Sequence, residues 1–227
     1  RLSTNAATGI LNTAGEMNAT EIVLGLHHKH GMLDSFLGSF AQSILKGTHR
    51  QMMVVKCLMP VNTMRRLMVA VPPKAEFEAG FYKWVERLAR IGGQLGCRVH
   101  FWAHPDTILR INGYLKKFHG NVRVEFSPMD DWDDLLLMSS KVAYDHLVVI
   151  VSARKGAISY QSSFEELPTQ ITKYFSNCSL MLIYPDQLGD PLENLTFSSP
   201  RGQSENPIYD HVSKWVYKWM KKGEEQG

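Results

Sequence analysis

Residues 21–57 decide the fold class of this chain; they read EIVLGLHHKHGMLDSFLGSFAQSILKGTHRQMMVVKC. An apolar run of strand length (21–25) is followed by a loop that contains histidine and glycine. Apolar residues at helical spacing come next (37–45), and a second apolar run of strand length closes the segment (52–57). A strand, a crossover helix and a second strand predict a parallel pair in an α/β sheet.

The same pattern recurs without a gap at residues 147–183, LVVIVSARKGAISYQSSFEELPTQITKYFSNCSLMLI. Strand falls on strand, loop on loop and helix on helix, although few residues are identical. The helical pattern that precedes each copy also matches, residues 6–17 against 132–143, and Ser3, Thr4 or Asn5 can cap the first of these helices. The chain therefore contains an internal repeat.

Further apolar strands alternate with helical patterns between the two copies, and they complete the second one. The expected strands lie at 67–71, 99–103, 122–126, 147–151 and 179–184. Right-handed crossovers make this a doubly wound parallel five-stranded sheet, an α/β fold, preceded by a half copy of the same fold. We expect a half domain at 1–63, a complete domain at 64–185, and a linker with an amphipathic C-terminal helix at 186–227.

Length and composition agree with this division and exclude several classes of protein. At roughly 150 residues per domain, 227 residues correspond to about one and a half domains. A composition of 44% hydrophobic and 21% charged residues is that of a globular chain, and a net charge of +3 does not indicate nucleic-acid binding. No apolar run approaches the ~18 residues of a membrane span. Because the chain starts at Arg1 without Met, we expect a piece of a longer protein.

The loop of the first copy carries a family resemblance. Gly25, Gly38 and Ser39, with the strands around them, resemble the Gly-x2-Gly-x9-Gly-Ser/Thr motif of universal stress protein domains, which have an adenine nucleotide alpha hydrolase-like fold. His28 stands at the position of the second glycine, and Gly31 follows it. The resemblance implies a phosphate-binding loop for ATP or AMP at these five residues. The alternative is that the glycines serve only the turn from strand to helix.

The resemblance also makes predictions about the sheet and the second copy. Strand order in the family is 3-2-1-4-5, and the last strand often pairs with another such domain, so residues 52–57 are expected to pair with 178–184. In the second copy Ser162 and Ser163 replace the glycine motif, and Pro72 follows Val71 where the family has an Asp. The second copy is therefore not expected to bind nucleotide.

The amino-acid sequence of residues 16–38 and 42–55 resembles the tandem stress-protein region that follows the membrane domain of bacterial monovalent cation:proton (sodium/proton) antiporters. This resemblance implies a non-catalytic regulatory domain at the cytoplasmic face of the inner membrane, with the antiporter's transmembrane domain as a partner in the same polypeptide. The alternatives are a soluble tandem stress protein that binds ATP or AMP, and a purely structural dimerisation unit. The unfinished sheet of the half domain predicts a homodimer.

Titratable clusters allow two readings each. His27, His28 and His30 suit pH sensing, while nothing nearby completes a set of metal ligands. The acidic run at 130–134 fits a helix N-terminus better than a cation site. No motif of a known hydrolase, metalloprotease or P-loop enzyme is present, so no catalytic residue and no metal are expected.

The C-terminal segment predicts an amphipathic helix. Ile208, Val212, Trp215 and Trp219 fall on one helical stripe, and four lysines lie outside it. Such a helix packs against protein or lies on an anionic membrane surface, and the aromatic stripe favours packing.

Overall fold

The structure is a computed structural model, and it describes residues 5–25 and 38–188. Six α-helices and seven strands lie along these residues. The helices are α1 (Ala6–Glu16), α2 (Gly38–Gly47), α3 (Phe81–Leu95), α4 (Pro105–Phe118), α5 (Leu135–Ser139) and α6 (Leu167–Tyr174). The strands are β1 (Glu21–Gly25), β2 (Gln51–Lys56), β3 (Arg66–Ala70), β4 (Arg98–Ala103), β5 (Val124–Pro128), β6 (His146–Val151) and β7 (Ser179–Tyr184).

All seven strands belong to one sheet, in the order β1-β2-β7-β6-β3-β4-β5. Within residues 64–185 this order is third, second, first, fourth and fifth strand, as expected from the family resemblance. Every neighbouring pair is parallel except β2 and β7. The predicted fold class, a doubly wound α/β fold, is confirmed, and the observed sheet is larger than one five-stranded unit.

The antiparallel pair joins the two copies of the repeat. Met52 lies opposite Tyr184 and Lys56 opposite Leu180, so the predicted pairing of the two last strands within one chain is confirmed. All six residues of β7 are buried, because the strand has a neighbour on each side and helices cover the sheet. The half copy and the complete copy therefore share one hydrogen-bonded sheet.

The two faces of the sheet are covered unequally. Helices α1, α2, α5 and α6 pack on one face, where the buried core includes Ile44, Trp132 and Ile171. Helices α3 and α4 pack on the other face, around Trp84 and Ile111. The first copy contributes helices to the first face only, because the described residues contain no counterpart of α3 and α4 ahead of β1.

Local structure follows the sequence signals, with one correction. The Asn5 side chain accepts a hydrogen bond from the Ala7 N–H at 2.9 Å and so caps α1. The helix expected to continue through Val142 and Ala143 instead ends at Ser139, after a 3-10 turn at Trp132–Asp134. The hydroxyls of Ser139 and Ser140 donate to carbonyls three residues earlier, which competes with the helical ladder.

Three further points concern the start of α6, membrane-spanning helices and the C-terminal segment. The helical segment of the second copy starts as a 3-10 turn at Ser162–Glu165, and α6 follows from Leu167. Among the described residues, no helix combines the length and apolar character needed to cross a bilayer. The linker and the amphipathic segment predicted at 186–227 lie outside the described residues beyond Leu188, so that prediction stands as made.

Candidate functional site

The predicted phosphate loop of the first copy is described at its two ends. Gly25 is the last residue of β1, and Gly38 and Ser39 open the ten-residue helix α2. Gly38 has a φ of +61°, a left-handed conformation that favours glycine. A strand that ends in glycine before a helix N-terminus is the arrangement in which backbone amides bind phosphate. His27, His28, His30 and Gly31 lie outside the described residues, so the ligand role of this loop stays a prediction.

The second copy replaces this turn with packed side chains. Phe164 stands where the first copy has Gly38, and its ring contacts Trp132 edge to face with centroids 4.8 Å apart. The side chain is 8% exposed and belongs to the hydrophobic core. A bulky ring packed at this position removes the close backbone approach that a phosphate requires.

A strap formed by residues 72–80 lies at the carboxyl ends of the strands in the second copy. Glu78 Oε1 accepts hydrogen bonds from the Ser159 N–H and from the Ser159 hydroxyl, both at 2.9 Å. Glu76 Oε2 accepts a hydrogen bond from the hydroxyl of Thr107 at 2.6 Å. Ser159 follows β6 and Thr107 follows β4, while the strap itself follows β3. The strap thus joins the loops of three strands at the edge where open α/β sheets bind ligands.

A third contact fastens the end of the strap to the segment after β7. A Cβ atom added at Gly80 would stand 2.4 Å from the backbone nitrogen of Asp186, so only glycine fits there. The Asp186 side chain, which is buried, forms a salt bridge with Lys83. Lys83 also donates to the carbonyl oxygen of Thr20 at 2.7 Å, which connects α3 to the start of β1.

Arg154 is the basic residue that follows β6 in the second copy, and its guanidinium holds the first copy. It donates to the carbonyl oxygen of Leu45 in α2 and, at 2.9 Å, to that of Arg50 before β2. Burial lowers the pKa of Arg154. Burial also raises the pKa of Tyr184 to about 12, against the opposing effects of a hydrogen bond with Ser152 and the charge of Arg154. The Arg154 guanidinium thus connects the two copies, and its hydrogen bonds go to carbonyl oxygens of the protein.

His100 is a described histidine that serves the packing of the sheet. His100 is buried on β4, and its Nε2 lies 2.9 Å from the Ser127 hydroxyl on β5. Burial lowers its pKa, against the charge of Glu125, so the ring is neutral near pH 7. Within residues 5–25 and 38–188, no three His, Cys, Asp or Glu side chains are grouped to hold a metal ion.

Sequence reasoning missed the strap, Arg154 and their partners. Pro72-Pro73 is typical of the end of a strand, but it does not predict the contacts that follow it. Glu78 and Ser159 are 81 residues apart in sequence, and Arg154 and Arg50 are 104 apart. Isolated polar residues at such separations show no spacing pattern that predicts a contact.

Comparisons with known proteins find a family model that matches part of the chain and similar solved structures. A sequence model of the universal stress protein family matches residues 1–56. A universal stress protein from Archaeoglobus fulgidus DSM 4304 is similar in structure, with 14% identity, a TM-score of 0.51, and coverage of 80% of this chain and 67% of the other. A functionally unknown protein from Pseudomonas aeruginosa PAO1 has 14% identity, a TM-score of 0.47, and coverage of 95% and 74%. A search of curated proteins finds no match.

Proposed function

We propose that this chain is a non-catalytic regulatory domain of a membrane cation:proton antiporter, held at the cytoplasmic face of the inner membrane. The observation that carries the proposal is the strap at residues 72–80. Its glutamates occupy hydrogen-bond donors at the ligand edge of the complete domain, and Arg154 is engaged by the neighbouring copy. A domain whose ligand edge is filled by its own side chains is suited to act through protein contacts.

The antiporter part of the proposal rests on the sequence resemblance of residues 16–38 and 42–55. The transmembrane domain of the same polypeptide is then the partner. Regulation requires that the domain contact active and inactive transporter states with different free energies, since equal affinity shifts no population. The continuous sheet suits this role, because the β2–β7 pair connects the two copies by backbone hydrogen bonds.

The direct test is proton flux through the parent antiporter in proteoliposomes, with and without residues 1–227. We expect transport to persist after the deletion and its dependence on pH or cation concentration to change. Flux with the same rate and the same dependence in both proteins would contradict the regulatory role. Loss of all flux together with loss of protein from the membrane would indicate a structural requirement instead.

The second candidate is binding of ATP or AMP by the first copy, and the left-handed Gly38 at the start of α2 favours it. Isothermal titration with each nucleotide tests this function. If the loop binds phosphate, Gly38→Ala weakens binding at least tenfold, because an L-residue is strained at this φ. Gly113→Ala in α4 is the matched control, since Gly113 lies in a helix with open space around its Cβ position. Absence of heat with either nucleotide removes this candidate.

The histidines of the loop supply the pH dependence in this proposal. Imidazole is the side chain whose ordinary pKa lies nearest the physiological range. We expect the triple substitution His27→Gln, His28→Gln and His30→Gln to shift the pH profile of antiport without stopping transport. An unchanged profile would remove the loop from the pH response.

A further inference from the structure

Basic residues collect at one edge of the sheet, the edge where β3, β4, β5, β6 and β7 begin. These five strands are parallel, so their amino ends lie side by side. Strand β2 is antiparallel to β7, so its carboxyl end lies at the same edge. Helices α4 and α6 also end there, because each leads back to the amino end of the next strand. The basic side chains described at this edge, called the basic edge below, are Lys56, Arg65, Arg66, Arg98, Lys116, Lys117, Arg123, Lys141 and Lys173.

Two of the described residues at the basic edge are acidic, Glu125 and Asp145. Glu125 forms salt bridges with Arg66 at 3.1 Å and Arg98 at 2.7 Å. Asp145 lies 3.6 Å from Arg65, whose side chain remains 85% exposed. Nine basic and two acidic residues leave this edge with a formal charge of +7.

The opposite edge, where the same five strands end, carries the reverse charge. Five of its described residues are basic: Lys74, Lys83, Arg110, Arg154 and Lys155. Ten are acidic: Glu76, Glu78, Asp106, Asp130, Asp131, Asp133, Asp134, Glu165, Glu166 and Asp186. The charge is thus separated along the direction of the strands. Such a separation orients the unit in the field of a charged surface.

Helix dipoles explain only part of this separation. Basic residues stabilise the last turn of a helix, which accounts for Lys116 and Lys117 in α4 and for Lys173 in α6. The other six residues of the basic edge lie on strands or in loops, where no last turn requires a positive charge. Their position beside one another therefore indicates an anionic partner.

The basic edge also exposes apolar side chains. Tyr144, in the loop before β6, is 79% exposed. Leu58 and Val61, in the connection between β2 and β3, are 43% and 46% exposed. Lysine and arginine combined with exposed aromatic and aliphatic side chains are typical of surfaces that contact the headgroups of an anionic bilayer. The phosphate backbone of a nucleic acid would bind the charges but not the aliphatic side chains, so the bilayer is the better fit.

We propose that the basic edge docks on an anionic lipid surface and that the acidic edge faces away from it. This inference rests on the proposed function, which holds the chain at the cytoplasmic face of the inner membrane. It adds the surface with which the chain meets the lipid and the direction in which the sheet stands on it. The attraction is electrostatic, so salt screens it.

Co-sedimentation of the full chain with vesicles of equal parts phosphatidylglycerol and phosphatidylcholine tests the proposal. We expect binding to these vesicles and at least about tenfold weaker binding to vesicles of phosphatidylcholine alone. Raising the salt from about 0.1 M to about 1 M should release the chain, because the Debye length falls from ~10 Å to ~3 Å. Absence of binding to the anionic vesicles at the lower salt overturns the proposal.

Two matched variants locate the contact. The first removes three exposed charges from the basic edge: Lys116→Gln, Lys117→Gln and Lys141→Gln. The control removes three exposed charges from outside it: Lys46→Gln, Lys74→Gln and Lys155→Gln. We expect the first to weaken vesicle binding at least about tenfold and the control to change it less than about twofold. Equal weakening by both would show that net charge alone acts, and it overturns the proposal.

Tyr144→Ser is a milder substitution at an exposed site, and it tests the apolar part of the surface in a chain with all its charges. We expect it to weaken vesicle binding about threefold, since tyrosine is favoured at the headgroup level. Circular dichroism confirms that each variant is folded. If the folded lysine variant and Tyr144→Ser both bind as the original chain does, the proposal is overturned.

Two results would assign the contact elsewhere and also overturn the proposal. Loss of binding in Trp215→Ala with Trp219→Ala, together with full binding by the basic-edge variant, would assign the membrane contact to the C-terminal segment. Tighter binding to duplex DNA than to the vesicles, weakened by the basic-edge substitutions, would assign the surface to nucleic acid. These measurements involve no transport, so a chain that regulates flux without binding vesicles overturns this inference and leaves the proposed function standing.

Discussion

Glu86 on α3 stabilises the contact between α3 and α4 through a pH-sensitive network. Burial by itself would raise the pKa of Glu86, but hydrogen bonds from His119, Arg90 and Tyr114 outweigh it, so the pKa is lowered. A carboxyl whose folded-state pKa lies below its unfolded-state value stabilises the fold above that unfolded value. This stabilisation is lost as the pH falls through the folded-state pKa. Unfolding free energy should therefore decrease below about pH 4.5.

Replacing Glu86 by Gln tests this network. We expect a loss of about 1–2 kcal/mol of unfolding free energy at pH 7, since hydrogen bonds to a charged acceptor are lost. The loss shrinks as the pH falls through the folded-state pKa of Glu86, because the wild-type carboxyl then becomes protonated. Urea unfolding at pH 3, 5 and 7 measures both effects. Glu165→Gln, which removes an exposed pair with Lys155, should change little; an equal effect of both variants would contradict the role of Glu86.

Arg154 connects the copies at the scale of a single side chain. Replacing it by Met keeps much of the volume and leaves the carbonyls of Leu45 and Arg50 without this donor. We expect a destabilisation of about 1–3 kcal/mol, together with faster hydrogen exchange in α2 and β2. Lys155→Met, one residue along and exposed, should leave both regions unchanged. If Arg154→Met leaves hydrogen exchange in α2 unchanged, the β2–β7 strand pair alone holds the first copy.

The strap is the element on which the proposed function depends. Replacing Glu78 by Ala leaves the buried Ser159 N–H and hydroxyl without their acceptor, which costs about 1–3 kcal/mol. We expect faster hydrogen exchange in residues 72–80 and in the loop after β6. Glu78→Gln keeps an oxygen acceptor and should retain most of the protection. Unchanged exchange in the alanine variant would mean that the Glu76 and Gly80 contacts hold the strap by themselves.

Sequence patterns predicted the elements far better than the contacts between loops. Strands β3, β6 and β7 are almost continuously apolar, because each is buried on both faces, and this makes them visible in the sequence. The family resemblance then predicted the pairing of β2 with β7. Strap contacts depend instead on single polar residues, such as Glu78, whose partners are fixed only once the sheet is assembled. The helix at α5 was predicted too long, because its end depends on serine hydroxyls that compete with the helical hydrogen bonds.

At the scale of the whole described unit, the two copies should unfold together. The sheet is continuous across the β2–β7 pair, and one hydrophobic core contains Ile44 of the first copy with Leu180 and Leu182 of the second. Separate unfolding of the half copy would expose this core and one side of β7. Shared burial of this kind makes the transition cooperative.

A substitution in one copy and a probe in the other test this cooperativity. Ile44 is fully buried on α2, so Ile44→Ala should cost about 2–5 kcal/mol. The buried tryptophans, Trp84, Trp102 and Trp132, all lie in the second copy, and Trp215→Phe with Trp219→Phe removes the remaining signal. We expect Ile44→Ala to shift the urea midpoint of tryptophan fluorescence by the same amount as the midpoint measured by circular dichroism. Val23→Ala, an exposed site in the same copy, is the control with little effect. If Ile44→Ala leaves the fluorescence midpoint unchanged, the half copy unfolds alone. The β2–β7 pair would then be too weak to couple the unfolding of the two copies.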